Sequence, residues 1–279
     1  MKRKYWAIGY MIFCLTERVI PAKMKVGLHK ILYQYLATKS RDADLLFWNF
    51  GYADLKPNAK KLYLQESDEK FRFYVQLYNH VASAINLKGK DVLEVGCGCG
   101  GGSSYIMKYH HPNSLKGIDI AERAIDFCNS YYLNDGLSFS YGNAESLPFE
   151  KNTFDVVINV ESSHCYGYME RFLNESYRVL RTSGYLLFAD FRSKHQISSL
   201  QNQLNSSNFK TLKEEVITPN VLKAMELDHD RKLELIHQKA PKLLINSFKN
   251  WWATMDSRRY ELFKNGEREY FNYVLKKEG

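Results

Sequence analysis

The apolar residues of the chain follow two different periodicities. Over roughly the first 88 residues they recur at helical spacing, clearest at positions 28, 31, 32 and 35 and again at 71, 74, 75, 78 and 81. From Asp91 onward, short apolar runs alternate with segments long enough to form helices. The pattern therefore predicts a helical N-terminal cap over residues 1–88, followed by an α/β core over residues 89–279.

Five apolar runs in the core have the character of buried strands, at residues 92–95, 115–120, 137–141, 154–160 and 185–191. Because crossover helices fit between them, they predict a Rossmann-like, doubly wound, mostly parallel sheet with its ligand at the carboxyl ends of the strands. A short run at 213–218 and an alternating run at 269–275 bring the predicted sheet to seven strands, the last of them antiparallel. Residues from about 219 to 263 read as a helical insertion before that last strand.

Composition and charge then narrow the classes of partner. The net charge of +8 over 279 residues favours an acidic partner, either nucleic acid or an anionic membrane surface. The five cysteines form no C-x-x-C pair, so neither a disulfide framework nor a bound metal is expected. A reducing, cytoplasmic setting fits this cysteine usage best.

The first residues combine positive charge with an apolar run. Lys2, Arg3 and Lys4 precede the apolar residues 5–15. Eleven residues of helix reach only about 16 Å, against roughly 30 Å of bilayer hydrocarbon, so a membrane-spanning helix is not expected. We predict an amphipathic helix that either caps the active site or associates with a membrane surface.

The strongest chemical signal is the stretch EVGCGCGGG, which directly follows the first predicted strand and opens a helix. Glycines allow the backbone to pass close to a ligand, and the helix N-terminus offers free N–H groups. The G-x-G-x-x-G spacing of nicotinamide enzymes is also present, but the acid two residues before the first glycine completes a different pattern. The stretch resembles motif I of class I methyltransferases, E/D-x-G-x-G-x-G. This resemblance implies S-adenosylmethionine as cofactor, held around Glu94, Gly96, Cys97, Gly98 and Gly100.

Two further segments complete the predicted cofactor site. Asp119, followed by Ile120, ends the second strand, where its carboxylate is placed to accept hydrogen bonds from the ribose hydroxyls. Residues 142–149, GNAESLPF, resemble the adenine-binding loop GDAExLPF of the same class, with Asn143 replacing the usual aspartate. The resemblance implies adenine contacts from Asn143, Ala144 and Glu145, and the predicted site also includes Asn159 in the fourth strand.

The residues after the fourth strand narrow the resemblance. Residues 161–166, ESSHCY, and residues 48–52, WNFGY, are similar to the phthiotriolone and phenolphthiotriolone dimycocerosates methyltransferases, and the similarity extends from about residue 45 to the C-terminus. Those enzymes O-methylate a hydroxyl carried by a lipid. The resemblance therefore implies a hydroxyl acceptor on a small or lipid-like molecule.

Methylation of an alcohol requires a group that removes its proton, and a neutral histidine suits that task. His164 is the candidate general base, with Glu161 either orienting it or contacting the amine of the cofactor. Four aromatic residues are predicted to line the acceptor pocket: Trp48, Phe50, Tyr52 and Tyr166.

Other acceptors stay open at this stage, because the same fold hosts methyl transfer to carbon and nitrogen. Nucleic acid is not expected, because residues 159–162 contain no proline, whereas base-modifying enzymes usually have an Asn/Asp-Pro-Pro-aromatic segment at this position. The sequence sets neither the identity of the acceptor nor the oligomeric state.

Overall fold

The computed structural model describes residues 26–27, 29–31, 33–34, 45–58, 61–240, 242 and 245–278. Seven strands form one sheet in the order β3-β2-β1-β4-β5-β7-β6. All are parallel except β7, which runs antiparallel to β5 and β6, so the predicted sheet is confirmed. The strands are β1 Asp91–Val95, β2 Ser114–Asp119, β3 Leu137–Tyr141, β4 Phe154–Val160, β5 Leu180–Ser193, β6 Phe209–Val216 and β7 Arg268–Lys277.

Helices cover both faces of the sheet, and the described residues between 26 and 34 are helical as well. The last four helices below occupy the segment between β6 and β7, which the sequence predicted as an insertion. The helices are α1 Glu66–Glu69, α2 Arg72–Ala82, α3 Gly101–His110, α4 Glu122–Tyr131, α5 Met169–Val179, α6 Lys194–Asn205, α7 Thr218–Leu227, α8 His229–Lys239, α9 Ile245–Trp251 and α10 Arg258–Lys264. None of them combines the length and apolar character needed to cross a bilayer.

The central strands are buried on both faces, which is why they read as unbroken apolar runs in the sequence. In β1, Val92 packs in the apolar layer shared with α2, and Leu93 packs in the opposite layer shared with α5. In β4, Val156 and Val157 divide between the same two layers. This double burial makes the carboxyl ends of β1 and β4 a rigid platform in the middle of the sheet.

The cap is only partly helical. The apolar spacing from Phe71 to Val81 does form a helix, α2. Residues 45–58, however, form neither helix nor strand, so the helical prediction is wrong for this segment. Its backbone donors bond to distant partners: the N–H of Phe50 donates to Glu161, and the N–H of Tyr52 donates to the carbonyl of Phe73. The predicted amphipathic helix of residues 5–15 lies outside the described residues.

Candidate active site

A cavity of about 870 Å³, counting the space at its open mouth, lies at the carboxyl ends of β1 to β4. The loops after these strands form its floor, and residues 46–49 together with the helical residues Val26, His29 and Tyr33 form its roof. The floor comprises residues 95–99, 119–120, 142–145, 160–162 and 165–166. This is the edge of the sheet at which the strand order predicts a ligand.

The glycine loop is shaped by close approach. Gly96 and Gly98 have φ values of +80° and +53°, which side chains other than glycine rarely adopt. A Cβ at Gly96 would stand 2.3 Å from the hydroxyl oxygen of Ser162, and a Cβ at Gly98 would stand 3.0 Å from the Trp48 ring. The loop therefore lies pressed between the segment that follows β4 and the roof of the cavity.

Glu94, the acid of the glycine motif, does not line the cavity. Its buried carboxylate accepts hydrogen bonds from the hydroxyls of Tyr78 in α2, at 2.8 Å, and Ser103 in α3. Burial raises the pKa of Glu94 to about 7. Glu94 thus joins two helices beneath the loop, and its contact with the cofactor stays a prediction.

Gly100 and Asn159 also lie outside the cavity, although both were predicted at the cofactor. Gly100 packs against Cys128 and Phe139. The amide nitrogen of Asn159 lies 2.8 Å from both the carbonyl oxygen of Val95 and the hydroxyl of Tyr166. Asn159 therefore connects the end of β1 to the residues that follow β4.

Asp119 lies where a ribose acceptor was predicted, at the carboxyl end of β2. One carboxylate oxygen accepts from the N–H of Gly98 at 2.9 Å, and the other accepts from the N–H of Ala121 at 2.8 Å. The carboxylate has acceptor sites beyond these two bonds, and the side chain lines the cavity together with Ile120. Asp119 thus anchors the glycine loop while presenting a carboxylate to a ligand.

The loop after β3 lines the cavity through Asn143, Ala144 and Glu145. The side-chain oxygen of Asn143 accepts from the N–H of Glu145 at 3.0 Å, which closes a local turn. One carboxylate oxygen of Glu145 accepts from the N–H of Gly167 at 2.7 Å. The loop is thereby fixed to the chain after β4, and its contact with adenine stays a prediction.

His164 is paired with a residue that the sequence did not single out. Its Nδ1 lies 2.9 Å from the Oδ1 of Asp190, and its backbone N–H donates to Oδ2 at 2.8 Å. Asp190 is fully buried near the end of β5 and also accepts from the hydroxyl of Ser163 at 2.6 Å. The Arg192 guanidinium lies 3.3 Å from the same carboxylate. Asp190 is therefore a well-compensated buried anion.

The charges of this pair stabilise each other. Burial acts to raise the pKa of Asp190, but His164 and Arg192 hold it well below its ordinary value. Burial acts to lower the pKa of His164, yet Cys165 and Asp190 raise it above its ordinary value. The histidine thus has more affinity for a proton than a free imidazole has.

Glu161 does not orient His164, which corrects that part of the prediction. The Oε2 of Glu161 accepts from the N–H of Phe50 at 2.9 Å and from the hydroxyl of Tyr270 at 3.0 Å. Its φ of +50° is strained for a non-glycine residue. Glu161 lines the cavity, and burial raises its pKa well above the ordinary value.

His164 lies beside the cavity rather than in its wall. Its ring centroid is 4.4 Å from that of Phe191 and 6.4 Å from that of His29, which does line the cavity. In the sequence, Asp190 could have been found as an acidic residue near the carboxyl end of the fifth predicted strand. It shares this edge of the sheet with His164, but 26 residues separate the two in sequence.

The four predicted acceptor-pocket aromatics separate into two pairs. Trp48 and Tyr166 line the cavity. Phe50 instead packs against Phe191 and Phe263, and Tyr52 stacks on His80 at 4.3 Å. The prediction is wrong for Phe50 and Tyr52, because the irregular segment 45–58 turns their rings into the core. Across the described ranges, no group of His, Cys, Asp and Glu side chains is arranged to hold a metal ion.

Comparison with known proteins identifies the family. A family model described as a methyltransferase domain matches residues 93–188. The chain is 36% identical to the fatty-acid O-methyltransferase of Mycolicibacterium smegmatis, with 97% of this chain and 98% of the relative covered. The chain belongs to the S-adenosylmethionine-dependent methyltransferases. The predicted family and cofactor are thereby confirmed.

Two further comparisons extend the likeness of this methyltransferase. The phthiotriol/phenolphthiotriol dimycocerosates methyltransferase of Mycobacterium tuberculosis is 33% identical, over 96% of this chain and 100% of the relative. Geranyl diphosphate C-methyltransferase from Streptomyces coelicolor, solved with S-adenosyl-L-homocysteine, superposes with a TM-score of 0.59 at 15% identity, over 88% of this chain and 97% of that chain. At this low identity, the similarity to the C-methyltransferase shows a shared fold.

The cavity of the methyltransferase fits its cofactor. Its floor brings the glycine loop, with no room for a Cβ at Gly96 or Gly98, against the carboxylate of Asp119. This arrangement offers backbone contact and a carboxylate acceptor for a diol.

We expect Asp119→Asn to weaken the binding of S-adenosylhomocysteine by roughly 1 to 3 kcal/mol, or about 5- to 150-fold, because the charged acceptor for the ribose hydroxyls is lost. Titration calorimetry on the folded variant measures this. Asp126→Asn, on an exposed position of α4, is the matched control. Equal affinities for all three proteins would contradict the ribose assignment.

Proposed function

We propose that this methyltransferase transfers the methyl group of S-adenosylmethionine to a hydroxyl oxygen of a lipid-like acceptor. The observation that carries the proposal is the pair formed by the partly exposed His164 and the buried Asp190, which lies beside the cavity. Its relatives, which include a fatty-acid O-methyltransferase and phthiotriol/phenolphthiotriol dimycocerosates methyltransferases, support a lipid-like acceptor.

The chemistry divides between cofactor and protein. The cofactor supplies a methyl group already activated on a positively charged sulfur. The protein has to align the acceptor and remove its proton. Asp190 occupies Nδ1 of His164, so Nε2 is the nitrogen that accepts a proton. The ionised Asp190 then stabilises the imidazolium that forms.

The pair of His164 and Asp190 is better suited to a hydroxyl acceptor than to a carboxylate acceptor. A fatty-acid carboxylate is already ionised at neutral pH and attacks without a base. An alcohol is a poor nucleophile until its proton begins to leave. The same reasoning separates hydroxyls from an activated carbon acceptor, which needs no proton removed from oxygen.

Glu161 keeps its second predicted role within this proposal, as a contact for the amine of the cofactor. Its carboxyl group lines the cavity at the end of β4. Burial raises its pKa, and a cationic ammonium beside it would offset that effect. The ionised form of Glu161 would then be favoured when the cofactor is bound.

An acceptor panel tests the proposed reaction. We expect a long-chain alcohol to yield a methyl ether when incubated with methyl-labelled S-adenosylmethionine, with mass spectrometry as the readout. The fatty acid and the amine of equal chain length are the matched alternatives, and butanol tests the need for a long chain. A methyl ester or N-methyl product without any ether would overturn the hydroxyl assignment, and transfer to butanol alone would overturn the lipid-like one.

We expect His164→Ala to lower turnover by about 10² to 10⁴, the usual share of general-base catalysis, while binding of S-adenosylhomocysteine is retained. The neutral imidazole is the active form and its pKa is raised, so wild-type activity should rise with pH through a midpoint above about 6.5. Asp190→Asn removes the anion that raises this pKa and should move the midpoint to lower pH. His195→Ala, at an exposed position of α6, is the control. An unaltered pH profile in His164→Ala would contradict the assignment.

The N-terminus carries three consecutive basic residues, Lys2, Arg3 and Lys4, whose charge favours contact with an anionic membrane surface. We propose that its basic residues help to collect an amphiphilic acceptor from anionic lipid. Joint replacement of Lys2, Arg3 and Lys4 by glutamate should reduce flotation with phosphatidylglycerol vesicles, while neutral vesicles show little binding throughout. The control replaces three exposed lysines elsewhere, at positions 56, 88 and 151. Equal flotation of both variants would contradict a specific role for the N-terminus.

A further inference from the structure

Two buried hydrogen-bond donors belong to consecutive residues in the roof of the cavity. The indole Nε1 of Trp48 and the side-chain amide nitrogen of Asn49 are both shielded from solvent, and neither has a hydrogen-bond partner in the described part of the chain. Both residues line the cavity. The orientation of the Asn49 amide follows from its oxygen, which accepts from the N–H of Gly51 at 2.8 Å. The nitrogen of that amide is therefore the free end.

Buried polar groups are nearly always paired, and an unpaired donor carries a desolvation penalty. Both free atoms here are N–H donors, so the missing partner is a group that accepts hydrogen bonds. A carboxylate offers only acceptor sites and has two oxygens, one for each donor. S-adenosylmethionine carries one carboxylate, on its methionine moiety.

The order of the strands places these donors at the methionine end of the cofactor. The nucleoside end is predicted to bind at Asp119 after β2 and at the loop after β3, both of which line the cavity. Because the sheet runs β3-β2-β1-β4, the rest of the cofactor extends over β1 towards β4. Trp48 lies against Gly98 after β1, and the residue after Asn49 bonds to Glu161 after β4. The two donors therefore lie over the matching part of the site.

The surroundings hold the Trp48 ring in place, and the described lining of the cavity has no Lys or Arg side chain that would bind an anion more strongly than the two donors do. The Trp48 ring stacks on Tyr33 with 5.1 Å between centroids. The guanidinium of Arg259 acts electrostatically on the lining residues Tyr33 and Glu161 without itself being part of this lining.

We infer that Trp48 and Asn49 bind the carboxylate of the methionine moiety of S-adenosylmethionine. Trp48, predicted from the sequence as an acceptor-pocket residue, thereby becomes a cofactor-binding residue. This assignment goes beyond the proposed function and is independent of the acceptor, because it is tested by cofactor binding alone.

Two ligands separate a carboxylate contact from general packing. S-adenosylhomocysteine carries the carboxylate, whereas 5′-methylthioadenosine has the same nucleoside and sulfur without the amino-acid part. Trp48→Phe keeps the aromatic ring and removes the N–H. We expect it to weaken binding of S-adenosylhomocysteine by about 10- to 100-fold and to leave binding of 5′-methylthioadenosine unchanged.

Asn49→Asp is an independent second variant. It keeps an oxygen for the N–H of Gly51 but places a negative charge where the free nitrogen was, so its loss should be at least as large and equally selective for S-adenosylhomocysteine. Trp252→Phe is the control, because Trp252 is buried against Ile236 outside the cavity. Calorimetry and competition give the affinities, and melting temperatures without ligand verify folding.

Each outcome decides the assignment. Selective loss for S-adenosylhomocysteine in both folded variants supports it. Equal loss for the two ligands shows that Trp48 acts by packing on the nucleoside, and unchanged affinity for S-adenosylhomocysteine shows that the carboxylate binds elsewhere. Either of these results overturns the inference and leaves the acceptor proposal untouched.

Discussion

The arrangement of the residues that follow β4 depends on one buried anion, the carboxylate of Asp190. A carboxylate inside a protein is tolerated only when it is paired and fully hydrogen-bonded. Asp190 meets this condition through Arg192 and through the side chain and backbone of His164. These bonds fix the turn after β4, which in turn places Ser162 and Tyr166 against Gly96. The orientation of His164 and the position of the residues packed against Gly96 therefore share one electrostatic cause.

The parts of the fold that the sequence predicted are those with local causes. Strands β1 and β4 are buried on both faces and are therefore recognisable in the sequence as apolar runs. The glycine loop is recognisable because it needs positive φ values that few other residues adopt. The partner of His164 has no such local signature. Asp190 meets it only because β4 and β5 are neighbours in the sheet, a relation that spacing along the chain does not encode.

The structure places Phe50, Tyr52 and Glu94 away from the positions that the sequence predicted, and the reason is similar in each case. The rings of Phe50 and Tyr52 point into the core because their backbone N–H groups bond to Glu161 and Phe73, and apolar periodicity contains no information on such bonds. Glu94 fits the motif by type and position, yet its carboxylate satisfies hydroxyls on α2 and α3. The motif thus identifies the residue but not the partners of its carboxylate, which lie on two other elements of the fold.

The irregular roof has a kinetic consequence. The segment from residue 45 to 58 has no internal hydrogen-bond ladder, so it is held at separate points: Phe50 on Glu161, Tyr52 on Phe73, and Ala53 on Asn220. A helix frays from its ends, one residue at a time, whereas a segment pinned in this way lifts only when several distant bonds break together. Displacement of this roof would then be a concerted event rather than a gradual one.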